Sequence, residues 1–210
     1  MAKRRKYKNA WAFRGHGFYK RFGKRALDIL ISCALLVAAC LPMLFIALAI
    51  KLTSRGGVIF RQVRIGRGGV PFVCYKFRSM RADAPSDVPT SSPSDIGSYI
   101  TPVGAFIRRF SLDELPQIIN VIKGDMSLVG VRPLIPCEEE MHKGRVASGA
   151  YDLPPGITGL AQIRGRDMIS DAEKLSFDSE YAKNIGFLLD AKIFFETFLR
   201  VLRREDIREK

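Results

Sequence analysis

One long apolar run dominates the hydrophobic pattern of this chain. Residues Ile29–Ile50 carry no charged side chain, and about 20 apolar residues are enough for a helix to cross a bilayer. The run starts well inside the chain and is longer than the apolar part of a signal peptide. It therefore predicts a membrane helix.

The middle and the flanks of this run bear on how the helix would enter the membrane. Pro42 lies near the middle, where a proline removes one backbone hydrogen bond and favours a kink. Lysine and arginine clusters lie on both sides of the run, and such clusters belong on the cytoplasmic side. We favour a re-entrant helix that breaks at Pro42 and returns to the same face. A single membrane span is the alternative.

Shorter patterned segments follow, and they predict a small hairpin and several helices. Two β-rich runs, Val58–Ile65 and Val70–Arg78, are separated by a glycine-rich turn, which predicts a β-hairpin. Helical patterns cover three segments, namely Gly104–Ile122 with an interruption near Ser111–Pro116, Ala172–Asn184 and Phe187–Arg204. The last is amphipathic, which favours contact with the core and one edge at a membrane interface.

Turn-forming residues mark the connections between these segments. Ala82–Gly97 is rich in proline, serine and aspartate and predicts a loop, either a linker or a lid over a site. Leu153–Gly159 predicts a second connector. The predicted fold class is α+β, mainly helical, with a re-entrant membrane helix-break-helix and a cytosolic domain that carries a small hairpin and amphipathic interface helices. The predicted boundaries are a basic tail (1–22), the membrane helix (23–51), the cytosolic domain (52–204) and a tail (205–210).

Charge and cysteine content narrow the partners. The chain of 210 residues has a net charge of +13, with ten Lys/Arg and no acid in residues 1–25. Such an excess points to an anionic partner, which is nucleic acid, anionic lipid or a phosphorylated substrate. The four cysteines have no CxxC spacing and there are only two histidines, so a disulfide framework, a zinc site or a histidine-based triad is not expected.

An adjacent acid pair, Asp113 and Glu114, is the main candidate for chemistry. Ser111 and Glu114 have the spacing of a capping box, and Pro116 suits a helix start. A helix N-terminus keeps a carboxylate ionised, so Asp113 would serve as a nucleophile or a cation ligand. The alternative is that both residues are ordinary acids of a first helical turn.

Arginines and lysines near this pair are candidates for binding phosphate. Arg132 lies between apolar residues and just before Pro133, and an arginine in such a setting usually meets a carboxylate or a phosphate. Lys76 and Arg78 alternate on a predicted strand and should share a face. For Lys76, Arg78 and Arg108, a solvated face or lipid headgroup contact is the alternative to a substrate ligand.

Five sequence strings stand out along the chain: KRALD at Lys24–Asp28, FRQVRIG at Phe60–Gly66, KFRSM at Lys76–Met80, SLDELPQ at Ser111–Gln117 and PGITGLAQ at Pro155–Gln162. Together they resemble the bacterial sugar transferase family, specifically its small monotopic phosphoglycosyl transferases. The resemblance runs from about Gly23 to Arg204.

The resemblance implies a reaction and a site. A phosphosugar would pass from a UDP-sugar to a polyprenol (undecaprenyl) phosphate with release of UMP, at the cytoplasmic face of the bacterial inner membrane and in contact with membrane lipid. Asp113 would be the nucleophile that forms a covalent phosphosugar intermediate, and Glu114 would be the partner of Asp113. The reaction would use Mg²⁺, and Asp113 would also be a ligand of this ion. Arg108 and Arg132 would bind phosphate, and Pro42 would mark the membrane break.

The chain departs from the family pattern at one position, and two other classes of function are alternatives. Val131 stands where the family commonly has a proline before the arginine, which leaves the placement of Arg132 open. A membrane-tethered nucleic-acid binder and a purely structural anchor are the competing classes; no nucleic-acid motif is present, so no nucleic-acid partner is expected. The sugar, the glycan pathway and the oligomeric state, with a homodimer as one option, are not determined.

Overall fold

The computed structural model describes residues 18–85, 96–165 and 168–203, and this part of the chain is mainly helical with two small sheets. A π-helical turn, Tyr19–Gly23, leads into the first helix. The helices are α1 (Lys24–Thr53), α2 (Pro102–Arg109), α3 (Gln117–Lys123), α4 (Glu139–Ser148), α5 (Leu160–Arg164), α6 (Asp171–Asn184) and α7 (Phe187–Arg203). The strands are β1 (Ile59–Ile65), β2 (Pro71–Phe77), β3 (Ser127–Val129) and β4 (Gly156–Thr158). The predicted α+β, mainly helical class is confirmed. The N-terminal tail lies largely outside the described residues, as do the C-terminal tail and most of the predicted loop 82–97.

Helix α1 is the apolar element, and among the described residues it is the one helix long and apolar enough to cross a membrane. It runs without interruption through Pro42, which is exposed. This corrects the predicted break into two helices. A proline removes only one hydrogen bond of the helical ladder, and here its neighbours keep helical geometry on both sides.

The start of α1 is tied to the rest of the molecule by buried charges. Lys24 Nζ lies 2.7 Å from Asp190 Oδ2 on α7 and donates to the carbonyl of Val129 at 2.8 Å. One turn later, Asp28 accepts a hydrogen bond of 2.7 Å from the hydroxyl of Ser127. Both ends of these contacts are buried, so they fix α1 against β3 and α7.

The end of α1 is tied to the same body by Arg78, just after β2. Its guanidinium donates to the carbonyls of Ser54 at 3.0 Å and Arg55 at 2.6 Å. Gly56 makes room for this contact, because a Cβ atom there would lie 2.2 Å from Arg78 Nη1, and its φ of +114° favours glycine. Both ends of the apolar helix are therefore anchored on one folded unit.

The predicted hairpin is confirmed. Strands β1 and β2 pair antiparallel, and Pro71 opens β2 opposite Ile65. The carboxamide of Asn120 on α3 continues this pairing, since it accepts from the amide of Tyr75 at 3.0 Å and donates to the carbonyl of Val73 at 2.7 Å. This bond seats α3, and the turn that precedes it, against β2.

A second pairing joins two segments that the sequence did not connect. Strands β3 and β4 run parallel, with Ser127 opposite Gly156. The sequence predicted only a connector over Leu153–Gly159. The approach is close because both sides carry glycine: a Cβ atom at Gly156 would lie 2.1 Å from the amide nitrogen of Gly130.

Two apolar clusters form the core. The larger joins β2, β3 and helices α3, α5, α6 and α7, and the smaller packs the end of α1, through Ile50, against Phe77 and Ile107. Helix α7 buries Ile193 in the core but leaves Phe195 and Phe198 exposed. Its predicted core contact is confirmed.

Candidate active site

A small open cleft lies where β2, β4, the turn before α3 and the loop after β3 meet. It is lined by Arg64, Cys74, Lys76, Glu114, Gln117, Arg132, Pro133, Gly156 and Ile157. Three of these side chains are cations and one is a carboxylate, so the lining carries an excess of positive charge. Such a lining suits an anion such as a carboxylate or a phosphate group.

The acid pair lies on a tight turn rather than on an α-helix. Leu112–Glu114 form a 3₁₀ turn, and α3 starts only at Gln117, with Pro116 as its N-cap residue as the sequence indicated. Ser111 has φ of +53°, and among the described residues it is the one non-glycine residue with positive φ. A left-handed residue of this kind costs about 1–2 kcal/mol, and such strain often marks functional sites.

The predicted capping box at Ser111 is wrong. Ser111 makes no side-chain capping hydrogen bond. The carboxylate of Glu114 turns instead toward Lys76, which lies 2.7 Å away. A capping box does form elsewhere, at Ser170 and Glu173 at the start of α6.

Glu114 holds two of the predicted basic residues at the cleft. Its Oε1 atom lies 2.7 Å from Lys76 Nζ and 3.8 Å from Arg132 Nη1. Glu114 is 9% exposed, and Lys76 and Arg132 keep 20% and 28% of their side chains exposed. Because the cations are only partly covered, they can still face a ligand in the cleft. The structure thus brings together Glu114, Lys76 and Arg132.

Three other predicted site residues lie outside the cleft lining. Asp113 is half-buried and precedes Glu114 on the same turn. Arg108 is half-buried near the end of α2, and its carbonyl accepts from the amide of Ser111 at 3.0 Å. Arg78 is occupied with the end of α1, because β2 stops at Phe77 and the alternation that would align Arg78 with Lys76 stops with it.

Arg64 is a cleft residue that the sequence analysis did not single out. Its guanidinium donates to the side chain of Gln62 at 2.9 Å and to the carbonyl of Pro133 at 3.0 Å. Burial, and next the charge of Arg132, lower the pKa of Arg64, although a guanidinium stays protonated at neutral pH. The signal was present in the sequence, since Arg64 belongs to the FRQVRIG string.

Cys74 is the one thiol of the cleft lining. Burial raises the pKa of this thiol, with Lys76 and Arg64 acting in the opposite direction. A buried neutral thiol is a poor nucleophile. The carboxylates are therefore the better candidates for covalent chemistry.

The acids available for a metal ion are few. In residues 18–85, 96–165 and 168–203 there is no group of three or more His, Cys, Asp or Glu side chains that could hold one. Mg²⁺ often binds through one or two carboxylates together with substrate phosphates. The turn of Asp113 and Glu114 fits that mode and not an all-protein cage.

The geometry of a basic cleft beside an acid pair agrees with what comparison of the whole sequence shows. The sequence profile described as bacterial sugar transferase matches residues 19–204. The chain belongs to this family. The predicted assignment to the family, and to the transferases, is confirmed.

Relatives of this sugar transferase support the assignment over most of its length. The uncharacterized sugar transferase EpsL of Bacillus subtilis (strain 168) is 39% identical over 186 residues, which cover 89% of this chain and 90% of the relative. The UDP-glucose:undecaprenyl-phosphate glucose-1-phosphate transferase of Caulobacter vibrioides is 39% identical, covering 87% of this chain and 71% of the relative. The undecaprenyl-phosphate galactose phosphotransferase of Salmonella typhimurium is 41% identical, covering 88% of this chain but only 41% of the relative.

Proposed function

We propose that this sugar transferase moves a sugar 1-phosphate from a UDP-sugar to undecaprenyl phosphate and releases UMP. The observation that carries the proposal is the cleft in which Arg64, Lys76 and Arg132 surround one carboxylate, Glu114, next to Asp113. The printed names of the Caulobacter and Salmonella relatives support the same type of reaction, with glucose in one case and galactose in the other. The sugar used by this chain is one of the points that the assay below decides.

The reaction would proceed in two displacements. In the first, a carboxylate oxygen of Asp113 attacks the phosphorus that bears the sugar, and the bond between that phosphorus and the bridging oxygen of the diphosphate breaks, so UMP leaves. In the second, a phosphate oxygen of the lipid attacks the same phosphorus and Asp113 is released. One carboxylate can serve a soluble donor and a lipid acceptor in turn.

The basic residues of the cleft would stabilise the charge of the donor. Lys76 and Arg132 are held by Glu114 at 2.7 and 3.8 Å, which orients both groups before a ligand arrives. Preorganised cations of this kind stabilise charge that develops on a transferring phosphoryl group. We assign Glu114 the role of holding them, and Arg64 that of a third phosphate contact.

Mg²⁺ would bind at Asp113 together with the diphosphate of the donor. When bound, it would offset the negative charge of the diphosphate. No group of three or more His, Cys, Asp or Glu side chains that could hold a metal ion exists in the described part of the chain, which favours a cation that arrives with the substrate. We expect excess EDTA to stop UMP release and added Mg²⁺ to restore it; full turnover in EDTA would contradict this assignment.

Both ends of α1 would lie on the cytoplasmic side of the bacterial inner membrane. Lys24 ties the start of the helix to Asp190, and Arg78 ties its end to the carbonyl of Arg55, so one folded unit holds both ends. A helix that crossed the bilayer once would place these two contacts on opposite sides of the membrane, whereas both belong to the same folded unit. We therefore propose that α1 is re-entrant and bends at Pro42, where the helix lacks one backbone hydrogen bond. Membrane lipid would contact the exposed apolar face of α1.

The assay that tests this function measures UMP. Purified protein is incubated with Mg²⁺, undecaprenyl phosphate and either UDP-glucose, UDP-galactose or another UDP-sugar. We expect UMP release that depends on the lipid acceptor in steady state and differs between sugars. Absence of UMP release with every donor would contradict the proposed function.

A further inference from the structure

The loop that carries Arg132 is held at every backbone carbonyl from Val131 to Ile135. The donors come from three different elements around the loop, namely β1, β4 and α4. They are the amide of Gly156 to Val131 at 2.8 Å, Arg145 to Arg132 at 2.6 Å, Arg64 to Pro133 at 3.0 Å, the amide of Ile65 to Leu134 at 2.8 Å, and His142 Nε2 to Ile135 at 2.9 Å. A loop fixed in this way has one backbone path, so the point from which the Arg132 side chain leaves the backbone is fixed.

The contact to the carbonyl of Arg132 differs from the others because a buried ion pair supplies it. Arg145 on α4 is 2% exposed and Asp178 on α6 is 3% exposed. The guanidinium of Arg145 donates through Nε to Asp178 Oδ2 at 2.9 Å, and its Nη2 lies 2.7 Å from the same oxygen. Its remaining nitrogen, Nη1, donates to the carbonyl of Arg132.

A buried ion pair is not needed for stability as such. Apolar residues of similar volume often stabilise a fold equally well, because burying two charges carries a large desolvation cost. A guanidinium, however, can hold a carboxylate with two nitrogens while a third reaches a carbonyl on the opposite side. An apolar pair cannot supply that third hydrogen bond.

We propose that Arg145 and Asp178 are positioning residues for Arg132. Asp178 fixes the plane of the Arg145 guanidinium, and Arg145 fixes the backbone of Arg132, so that the Arg132 side chain faces Glu114 and the phosphate of the donor. The functional part of this inference rests on the proposed transfer of a sugar phosphate.

Arg145→Lys tests the positioning directly. A lysine keeps the charge opposite Asp178, but its single nitrogen cannot hold both the carboxylate and the carbonyl in this geometry. Hydrogen exchange should then accelerate about tenfold at the amides of Gly156 and Ile65, which are bonded to carbonyls of the same loop. Unchanged exchange at these two amides would overturn the proposal.

A matched substitution separates positioning from general destabilisation. Arg25 also donates to two backbone carbonyls, those of Val121 and Ile122, which lie outside the loop from Val131 to Ile135. Arg25→Lys should lower the unfolding temperature without accelerating exchange at Gly156 and Ile65. Equal acceleration in both variants would mean that Arg145 has only a structural role.

Kinetics in two backgrounds test whether Arg145 acts through Arg132. Arg145→Lys should raise the KM for the UDP-sugar about tenfold in the wild-type background and less than about twofold when Arg132→Ala is already present. Equal factors in the two backgrounds would overturn the inference. If Arg145→Lys does not fold, Asp178→Asn, which keeps the volume of the side chain, replaces it with the same expectations.

The two levels of the claim fail separately. If the wild-type protein releases no UMP, the proposed function is wrong, and the exchange experiment, which needs no ligand, still decides whether the pair fixes the loop. If UMP is released but exchange and KM do not respond to Arg145→Lys, the function stands and the positioning role is wrong.

Discussion

Lysine and arginine side chains serve different purposes in the cleft and at the helix anchor. The helix anchor is the set of contacts that Lys24 and Arg78 make at the two ends of α1. At the anchor, Lys24 is 2% exposed and Arg78 is 8% exposed, and their hydrogen bonds go to a carboxylate, to backbone carbonyls and to the hydroxyl of Ser54. In the cleft, Lys76 and Arg132 share one carboxylate, Glu114, and remain partly exposed. The difference shows that the partners of a cation, and not its presence in a basic sequence, decide whether it holds the fold or faces a substrate.

Among the variants that separate substrate-facing residues from residues that hold the fold, Asp113→Asn should have the largest effect on turnover. Asp113→Asn should reduce UMP release by about three orders of magnitude or more, because a carboxamide cannot form the acyl phosphate intermediate. The unfolding temperature should change little, because Asp113 is only half-buried. Steady-state UMP release and thermal unfolding of the same preparation measure both.

Near-native turnover of Asp113→Asn would assign the nucleophile to another group. Glu114→Gln is the companion variant, and it should also be impaired because Lys76 and Arg132 lose the charge that orients them. Its loss should appear in KM as well as kcat, whereas the loss in Asp113→Asn should appear in kcat.

The anchor is expected to matter for stability. Lys24→Met leaves Asp190 as a buried charge without its 2.7 Å cation, and breaking a buried pair in this way costs about 3–5 kcal/mol. Denaturant or thermal unfolding in detergent or nanodiscs measures the loss. Lys143→Met is the matched control: it removes an ion pair of the same length, to Glu140, from an exposed surface, and it should leave unfolding unchanged.

Arg132 and Arg78 should separate the two roles of arginine. Arg132→Ala should raise the KM for the UDP-sugar about 10- to 100-fold with little change in the unfolding temperature, because it removes a charged contact to phosphate. Arg78→Ala should instead lower the unfolding temperature, because the carbonyls of Ser54 and Arg55 lose their donor. If Arg78→Ala gave the larger KM effect at unchanged stability, its predicted substrate role would be restored and the comparison reversed.

The membrane topology of α1 is tested by labelling and not by an effect on activity. Single cysteines at Tyr19 and Ser54, in a background without the four native cysteines, should both be inaccessible to an impermeant reagent applied outside intact cells. Labelling at Tyr19 but not at Ser54 would show a membrane span. Pro42→Ala restores the backbone hydrogen bond and so favours a straight helix. Labelling of Tyr19 from outside in this variant alone would show that Pro42 causes the re-entrant path.

The sequence predicted the elements whose signals are local. The hairpin follows from two β-rich runs around a glycine turn, and Asp171–Asn184 and Phe187–Arg203 follow from helical periodicity. Lys76, Glu114 and Arg132 were likewise identified from spacing and resemblance, and the structure brings them to one cleft. Val131 does not prevent this, since Arg132 still lies 3.8 Å from Glu114.

What the sequence missed depends on contacts between distant segments. The parallel pairing of β3 with β4 joins residues about 30 positions apart through two glycines, and no local pattern encodes it. The sequence also missed the partners of Glu114 and Arg78. Glu114 pairs with Lys76 and does not form the predicted capping box, and Arg78 binds the end of α1 and does not face the cleft. For Glu114 and Arg78, a tertiary contact overrode a local propensity.

The central claim is that Asp113 takes up the sugar phosphate before the lipid does, and a trapping experiment tests it most directly. The protein is incubated with Mg²⁺ and a UDP-sugar that turns over, without undecaprenyl phosphate, and then quenched for UMP measurement and peptide mass spectrometry. We expect about one equivalent of UMP per protein and a hexose phosphate adduct on the peptide that contains Asp113. UMP release that begins only when undecaprenyl phosphate is added, with no adduct on any peptide, would contradict it.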